Sequence, residues 1–171
     1  AHDVRAARDL LDVQRDQAVV DQDSVAGVHQ LNHPRIGDGD LRFVALDVAA
    51  GQDNEAVVQN VIDKAIEEFG RIDAVVNNAQ ASASGVTIAD HTMDQFNLAI
   101  YSGLYATYLY MQKAYPHLKE TKGSVVNFAS GAGLFGNYGQ CSYAAAKEGI
   151  RGLTRVAANE WGKDGINVNI V

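Results

Sequence analysis

The sequence predicts an α/β fold in which buried strands alternate with amphipathic helices. Short apolar runs rich in β-branched residues are typical of buried strands, and longer segments repeat apolar residues at helical spacing. Strands that alternate with helices indicate a mostly parallel sheet with crossover helices. The strands are predicted at 41–46, 72–76, 124–129 and 166–171, and the helices at 53–69, 91–119 and 142–161.

The first forty residues have a weaker pattern. Residues 1–14 carry a rough helical stripe, and the apolar run 18–20 ends in Asp21. A carboxylate directly after a strand is what a dinucleotide-binding fold uses to hold the adenosine ribose diol, although an acidic turn can follow any strand. Residues 24–33 are predicted to form a short helix that ends at Pro34.

Polar residues follow two of the central strands. Asp47 and Val48 come directly after the strand 41–46, and Asn77-Asn78-Ala79 follows the strand 72–76. Asparagine amides at such a point brace neighbouring strands, because each amide both donates and accepts hydrogen bonds. The small Ala79 leaves room for the backbone to approach a ligand.

The stretch 123–147 carries the most informative chemistry. Ser130 comes at the end of a strand, a glycine-punctuated loop follows, and a helix begins near Ser142. Tyr143 and Lys147 are four residues apart, so they lie on one helical face. A nearby ammonium favours the phenolate of a tyrosine, so Lys147 makes Tyr143 a candidate proton donor and acceptor, beside the simpler interpretation of two surface residues.

These motifs resemble those of the short-chain dehydrogenase/reductase family. Ser130, Tyr143 and Lys147 match the order of its catalytic residues, while Asn77-Asn78-Ala79 and Asp47-Val48 are similar to motifs after two of its strands. The resemblance covers about residues 40–171. It implies a Rossmann-like, doubly wound parallel sheet in a single dinucleotide-binding domain.

The resemblance also implies the roles of individual residues. Ser130 would hold the substrate oxygen, Tyr143 would transfer the proton, and Lys147 would tune Tyr143 and bind the nicotinamide ribose. Asp21, if it follows the second strand, would favour NAD over NADP because a carboxylate repels a 2′-phosphate. The full set of expected cofactor-binding residues is Asp21, Asp47, Val48, Asn77, Asn78, Ala79, Tyr143 and Lys147.

Two positions depart from the family pattern. Gln80 stands where the family has glycine, and its larger side chain is expected to crowd the place where cofactor and substrate meet. Gly103 stands where the family has an asparagine that helps a water relay protons to the lysine. We expect a slower proton relay, or another side chain that substitutes for the missing amide.

The family's glycine-rich phosphate cradle has no counterpart in these 171 residues. If the resemblance holds, the first strand and its loop precede Ala1 and the seventh strand follows Val171. We therefore expect a domain that is incomplete at both ends.

Composition limits the other function classes. A net charge of −7 argues against a nucleic-acid partner or an acidic membrane surface. No apolar run is long enough to span a bilayer, and no leader pattern stands at the start of the sequence, so we expect a cytoplasmic protein. One cysteine cannot form an internal disulfide. Of the five histidines only His29 and His33 have helical spacing, and no metal site is expected.

The sequence therefore predicts an NAD(P)-dependent oxidoreductase that acts on a secondary alcohol or ketone. The alternative is a non-catalytic or truncated family member that dimerises or binds through its helices. In relatives, the helices that correspond to 91–119 and 142–161 form the subunit interface, which implies a homodimer or homotetramer. Steroids, acyl thioesters, sugars and small alicyclic alcohols all remain open as substrates.

Overall fold

The computed structural model describes residues 29–30, 44–45 and 54–171. Two short strands, β1 (His29–Gln30) and β2 (Val44–Ala45), pair antiparallel, with His29 opposite Ala45. Of the strand expected at 41–46, Val44 and Ala45 are thus observed as β2. The helix expected at 24–33 is wrong at His29–Gln30, because backbone pairing with a second strand outweighs a weak helical pattern.

The main sheet consists of three parallel strands, β3 (Ala74–Asn77), β4 (Ser124–Asn127) and β5 (Asn167–Ile170), in the spatial order β3-β4-β5. Asn77 is level with Asn127, and Asn127 is level with Ile170. The carboxyl ends of all three strands therefore meet at one edge of the sheet.

Helices connect these strands. Helix α1 (Asn54–Phe69) precedes β3, and it buries Val58, Val61 and Ile62, whose spacing places them on one helical face. It ends at Gly70, whose φ of +72° suits a residue without a Cβ and whose amide bonds the Ile66 carbonyl at 2.8 Å.

The long helical segment between β3 and β4 has three parts. Helix α2 (Met93–Ala99) begins with a capping box in which Thr92 and Gln95 exchange hydrogen bonds. A π-helical segment (Ile100–Tyr105) follows, and helix α3 (Ala106–Thr121) continues to Lys122. The single helix expected at 91–119 is therefore interrupted. Gly103 lowers helix propensity there, and Ser102 bonds back to the Leu98 carbonyl, which bends helices.

A second crossover connects β4 to β5. The short helix α4 (Gly131–Phe135) lies in what the sequence predicted to be a loop, and helix α5 (Cys141–Trp161) follows it. Since both crossovers run in the same direction along the sheet, right-handed connections place α3 and α5 on the same face. The two helices contact each other, and each contacts two of the strands.

The core lies between this helical layer and the sheet. Leu118 and Val125 are fully buried there, and each contributes about 1.5–3 kcal/mol relative to an exposed position. Close to this core, the Tyr115 hydroxyl donates to Asp164 at 2.7 Å, and Lys119 pairs with the same carboxylate at 2.9 Å. The hydrogen bond from Tyr115, followed by the contact with Lys119, lowers the pKa of Asp164. The two contacts attach α3 to the segment before β5.

Candidate active site

The loop after β4 places Ser130 at the carboxyl edge of the sheet. Ser130 has an extended backbone and caps helix α4, since its Oγ accepts a hydrogen bond from the Ala132 amide at 3.1 Å. Among the described residues its hydroxyl hydrogen has no recorded acceptor. That hydrogen is therefore available to a ligand oxygen at this edge.

Lys147 is the buried cation of the site. Its residue is only 4% exposed, and its Nζ donates to the Phe128 carbonyl oxygen at 2.9 Å. The same Nζ lies 5.5 Å from the centre of the Tyr143 ring, within the range of a cation–π contact. Because Phe128 is two residues before Ser130, this bond brings the start of α5 to the loop that carries Ser130.

Burial lowers the pKa of Lys147 from its ordinary value, because removal from water disfavours the charged form. The described residues supply one hydrogen-bond acceptor for this ammonium group, which has three N–H donors. The arrangement places a buried cation with unused donors beside a half-buried phenol.

The start of α5 is fixed by two further contacts. Ser142 is fully buried, and its hydroxyl lies 3.0 Å from Nε2 of His91. Before the helix, the Gly85 amide bonds the Gly139 carbonyl at 2.9 Å, and a Cβ on Gly139 would lie 2.8 Å from the Gly85 backbone. Gly139 also has a φ of +69°, so this close approach requires glycine.

Asn77 and Asn127 join the ends of β3 and β4. The Asn77 side-chain amide donates to Asn127 Oδ1 at 2.8 Å, which is the kind of brace the sequence predicted for the asparagines. Asn127 is completely buried, and its own Nδ2 donates to Thr154 on α5 at 2.9 Å and to the Met111 sulfur on α3 at 3.3 Å. One side chain therefore connects two strands and two helices.

The sequence did not predict roles for Asn127, Thr154 and His91. A signal for Asn127 was present, because it is a polar residue inside an apolar run at the end of a strand. Thr154 and His91 had no such signal, since their roles depend on which elements pack together.

The remaining predicted site residues divide into two groups. Asn78 and Ala79 are exposed just beyond the carboxyl end of β3, at the edge where parallel α/β sheets bind ligands. Asp21, Asp47 and Val48 lie outside the described residues.

Two other features bear on what this edge can bind. In the part of the chain that the structure describes, no group of three or more potential metal ligands is present, and no helix is long and apolar enough to cross a membrane.

The segment after Ser130 exposes large apolar side chains, with Leu134 at 62%, Phe135 at 79% and Tyr138 at 84%.

A family model described as short chain dehydrogenase matches residues 5–171. The chain belongs to this family. Members of the short-chain dehydrogenase family are oxidoreductases, and the fold is the Rossmann-like, doubly wound α/β fold of their structures.

Individual relatives support the assignment. The chain is 66% identical to a 12alpha-hydroxysteroid dehydrogenase from a Clostridium species over 128 residues, which make up 75% of this chain and 49% of the relative. Solved structures of "ElxO with NADP Bound" (34% identity, covering 70% of this chain and 49% of that one) and of "NAD+-Bound Xylitol Dehydrogenase" (26% identity, covering 68% and 45%) both align with a TM-score of 0.65. The chain spans about half the length of these relatives.

The buried Lys147 predicts a pH dependence of stability. Because burial lowers the pKa of Lys147 in the folded state below its ordinary value of 10.5, the unfolded chain binds more protons between the two values. Stability therefore rises with pH through that window. We expect the unfolding free energy of the wild type to increase relative to that of Lys147→Met as pH rises toward 10.5. A pH-independent difference in urea denaturation would contradict the prediction.

The Asn127 brace predicts a loss of stability on truncation. Asn127→Ala leaves the Asn77 amide without its acceptor and opens a small cavity, so we expect a loss of about 1–3 kcal/mol in unfolding free energy. Asn169→Ala is the matched control, since Asn169 lies exposed on the neighbouring strand and should change stability by less than about 0.5 kcal/mol. Equal losses in the two variants would show that Asn127 is not a brace.

Proposed function

We propose that the protein is an NAD(P)-dependent oxidoreductase that moves a hydride between a nicotinamide coenzyme and a secondary alcohol or ketone. The observation that carries this proposal is the position of Lys147, which is buried and lies between the Tyr143 ring and the carbonyl of Phe128, two residues before Ser130. Family membership supports the same reaction class. The coenzyme supplies the hydride chemistry when it is bound.

In this proposal Tyr143 is the general acid and base. For alcohol oxidation, the substrate hydroxyl proton passes to the Tyr143 oxygen as the carbon loses its hydride. Ser130 donates its free hydroxyl hydrogen to the substrate oxygen and fixes its position. Lys147 supplies positive charge beside the phenol, with its Nζ 5.5 Å from the centre of the Tyr143 ring.

The described residues fit a nicotinamide coenzyme at the carboxyl edge of the sheet. Asn78 and the small Ala79 are exposed there, and Asn77 is held by its bond to Asn127. We propose that Asn77, Asn78 and Ala79 line the coenzyme, and that Tyr143 and Lys147 contact its nicotinamide ribose.

We propose NAD as the preferred coenzyme. The support is Asp21, whose carboxylate would hold the ribose diol and repel a 2′-phosphate, with Asp47 and Val48 at the adenine. Among the similar structures, one has NADP bound and another NAD+. Comparing the KM values for the two coenzymes decides between them.

The substrate class that we propose is a hydroxysteroid. The 66% identity to a 12alpha-hydroxysteroid dehydrogenase supports it. The exposed side chains of Leu134, Phe135 and Tyr138 follow Ser130 directly, and they provide an apolar surface that suits a large apolar alcohol.

We also propose that residues 1–171 belong to one dinucleotide-binding domain and that the protein is a cytoplasmic homodimer or homotetramer. The single cysteine, which is unpaired, accords with a cytoplasmic location. The helical segments 91–119 and 142–161 would form the subunit contact. On the first of these, Tyr101, Tyr105 and Tyr108 form a partly exposed aromatic stripe. The same stripe favours the second candidate function, a non-catalytic module that binds another copy of the chain.

A coenzyme-reduction assay tests the proposed function. The 171-residue chain and a chain extended at both ends are titrated with NADH and then assayed with NAD+ or NADP+ and a 12α-hydroxysteroid. We expect binding and turnover in the extended chain. Ser130→Ala should lower kcat by about 10²-fold while leaving the dissociation constant for NADH within about threefold, because Ser130 acts on the substrate oxygen.

Ser130→Thr is the matched control, since it keeps a hydroxyl that can cap α4 and bond the substrate; it should retain more activity than Ser130→Ala. Failure of both chains to bind NADH would favour the non-catalytic candidate. Full activity in Ser130→Ala would remove Ser130 from the mechanism.

A further inference from the structure

Within the part of the chain that the structure describes, the helix that carries Tyr143 begins without a side-chain cap. Gln140 occupies the N-cap position of α5, and its side chain makes no capping hydrogen bond. The first hydrogen bond of the helix runs from the Ala144 amide to the Gln140 carbonyl at 2.8 Å. Tyr143 therefore belongs to the terminal turn, whose backbone amides have no acceptor within the helix. Since a side-chain cap contributes about 0.5–2 kcal/mol, this turn needs another contact to hold it.

The buried face of α5 shows which residue can make that contact. Four residues at i, i+4 spacing form this face, and each is at most 3% exposed: Ser142, Ala146, Ile150 and Thr154. The apolar contacts of Ala146 and Ile150 are not directional, so they tolerate small shifts of the helix. Thr154 makes its hydrogen bond in the fourth turn, far along the helix from Tyr143. Ser142 is the polar residue of this face in the first turn.

The partner of Ser142 is His91, on a different element. His91 Nε2 lies 3.0 Å from the Ser142 hydroxyl oxygen, and Ser142 is fully buried. His91 directly precedes Thr92, whose capping box fixes the backbone at the start of α2. A few residues earlier, Val86 forms a parallel β-bridge with Gln140. His91 is therefore held independently of α5, and it can fix the first turn of that helix.

The other ring nitrogen of His91 shows what the imidazole contributes. Nδ1 is buried and has no hydrogen-bond partner among the described residues. A buried polar atom without a partner costs about 1–3 kcal/mol, a cost that an apolar side chain of similar size would avoid. The imidazole therefore makes one polar contact here, at Nε2, and leaves its second nitrogen unsatisfied. This indicates that the bond to Ser142, rather than the filling of space, accounts for a histidine at this position.

We propose that His91 is a positioning residue for Tyr143. Its Nε2 holds the Ser142 hydroxyl, and this contact replaces a side-chain cap on α5 and fixes the turn that carries the Tyr143 phenol. The inference rests on the proposed function, since it gives His91 a part in turnover only if Tyr143 carries the proton. A misplacement of about 1 Å can lower turnover by about 10²-fold, so a loosened first turn is enough to impair proton transfer.

Substitutions of His91 in the chain extended at both ends test the proposal. His91→Leu keeps a similar volume but removes Nε2, so we expect kcat with a 12α-hydroxysteroid to fall by about tenfold to 10²-fold. The KM for the coenzyme should change by less than about threefold, because most of the proposed coenzyme contacts lie outside this turn. His91→Gln places an amide group near the position of Nε2, and it should keep kcat within about threefold of the wild type.

A second pair of variants separates the bond from a general loss of stability. Ser142→Ala removes the other partner and should lower kcat about as much as His91→Leu. The double variant should lose no more than either single variant, because both substitutions remove one interaction. Val58→Ala is the control, since Val58 is fully buried in α1; it should lower the unfolding free energy and leave kcat within about threefold.

The outcomes distinguish this proposal from the proposed function. An extended wild type without turnover would overturn the proposed function, and the role of His91 with it. With an active wild type, an unchanged kcat in His91→Leu would overturn the proposal alone, and so would losses that multiply in the double variant. If His91→Leu does not fold, the other two single variants decide. An active His91→Gln beside an impaired Ser142→Ala supports the proposal, whereas full activity in Ser142→Ala contradicts it.

Discussion

The hydrogen bond from Lys147 Nζ to the Phe128 carbonyl is the constraint on which the rest of the site depends. An ammonium group that is 4% exposed needs an acceptor, and the acceptor is the backbone at the end of β4. This bond fixes how α5 approaches the sheet. It therefore sets the position of Tyr143, one turn earlier on the same helix, relative to the loop of Ser130. Burial lowers the pKa of Lys147, so keeping the charged form in this position costs stability. Ionisable groups with such perturbed pKa values are concentrated at functional sites, which supports a functional role for this lysine.

The packing around this bond explains why the approach of α5 is so well determined. Asn127 lies just before Phe128, and its side chain connects Asn77 on β3 with Thr154 on α5. At the N-terminus of α5, the Ser142 hydroxyl lies within hydrogen-bond distance of His91 Nε2. Just before the helix, the Gly139 carbonyl accepts a hydrogen bond from the Gly85 amide. The first turns of α5 are thus held by polar contacts to the sheet and to the loop before α2, while its apolar face packs on the core.

Much of the fold could be predicted from the sequence because it depends on local pattern. Helix α1 and helix α5 begin within one residue of the predicted positions. Strands β4 and β5 lie inside the predicted runs, and β3 ends one residue beyond its run. The π-helical segment could not be predicted, because it accompanies hydrogen bonds of Ser102 to Leu98 and Ala81 that form only in the folded chain. The short helix α4 was missed because its glycines favour a loop, whereas the Ser130 cap stabilises a helical turn.

For the candidate site, the motif predicted that Ser130, Tyr143 and Lys147 belong together, and their roles stay predictions. What the sequence could not show was contact between distant positions. The Gln80 carboxamide lies over Gly103, where a Cβ would be 2.5 Å from Gln80 Cδ. The effects expected of these two residues on the cofactor site and on the proton relay stay predictions. The hydrogen bonds of Thr154 with Asn127 and of His91 with Ser142 could not be predicted for the same reason.

Whether Tyr143 carries the proton is tested by the turnover of Tyr143→Phe, measured as coenzyme reduction with a hydroxysteroid. Tyr105→Phe, which keeps its ring on the partly exposed aromatic stripe, is the matched control. We predict a loss in kcat of at least about 10²-fold for Tyr143→Phe, with NADH affinity and unfolding free energy close to those of the wild type, and no loss for Tyr105→Phe. Retention of most of the turnover by a folded, coenzyme-binding Tyr143→Phe would contradict the account, because the proton would then have another carrier.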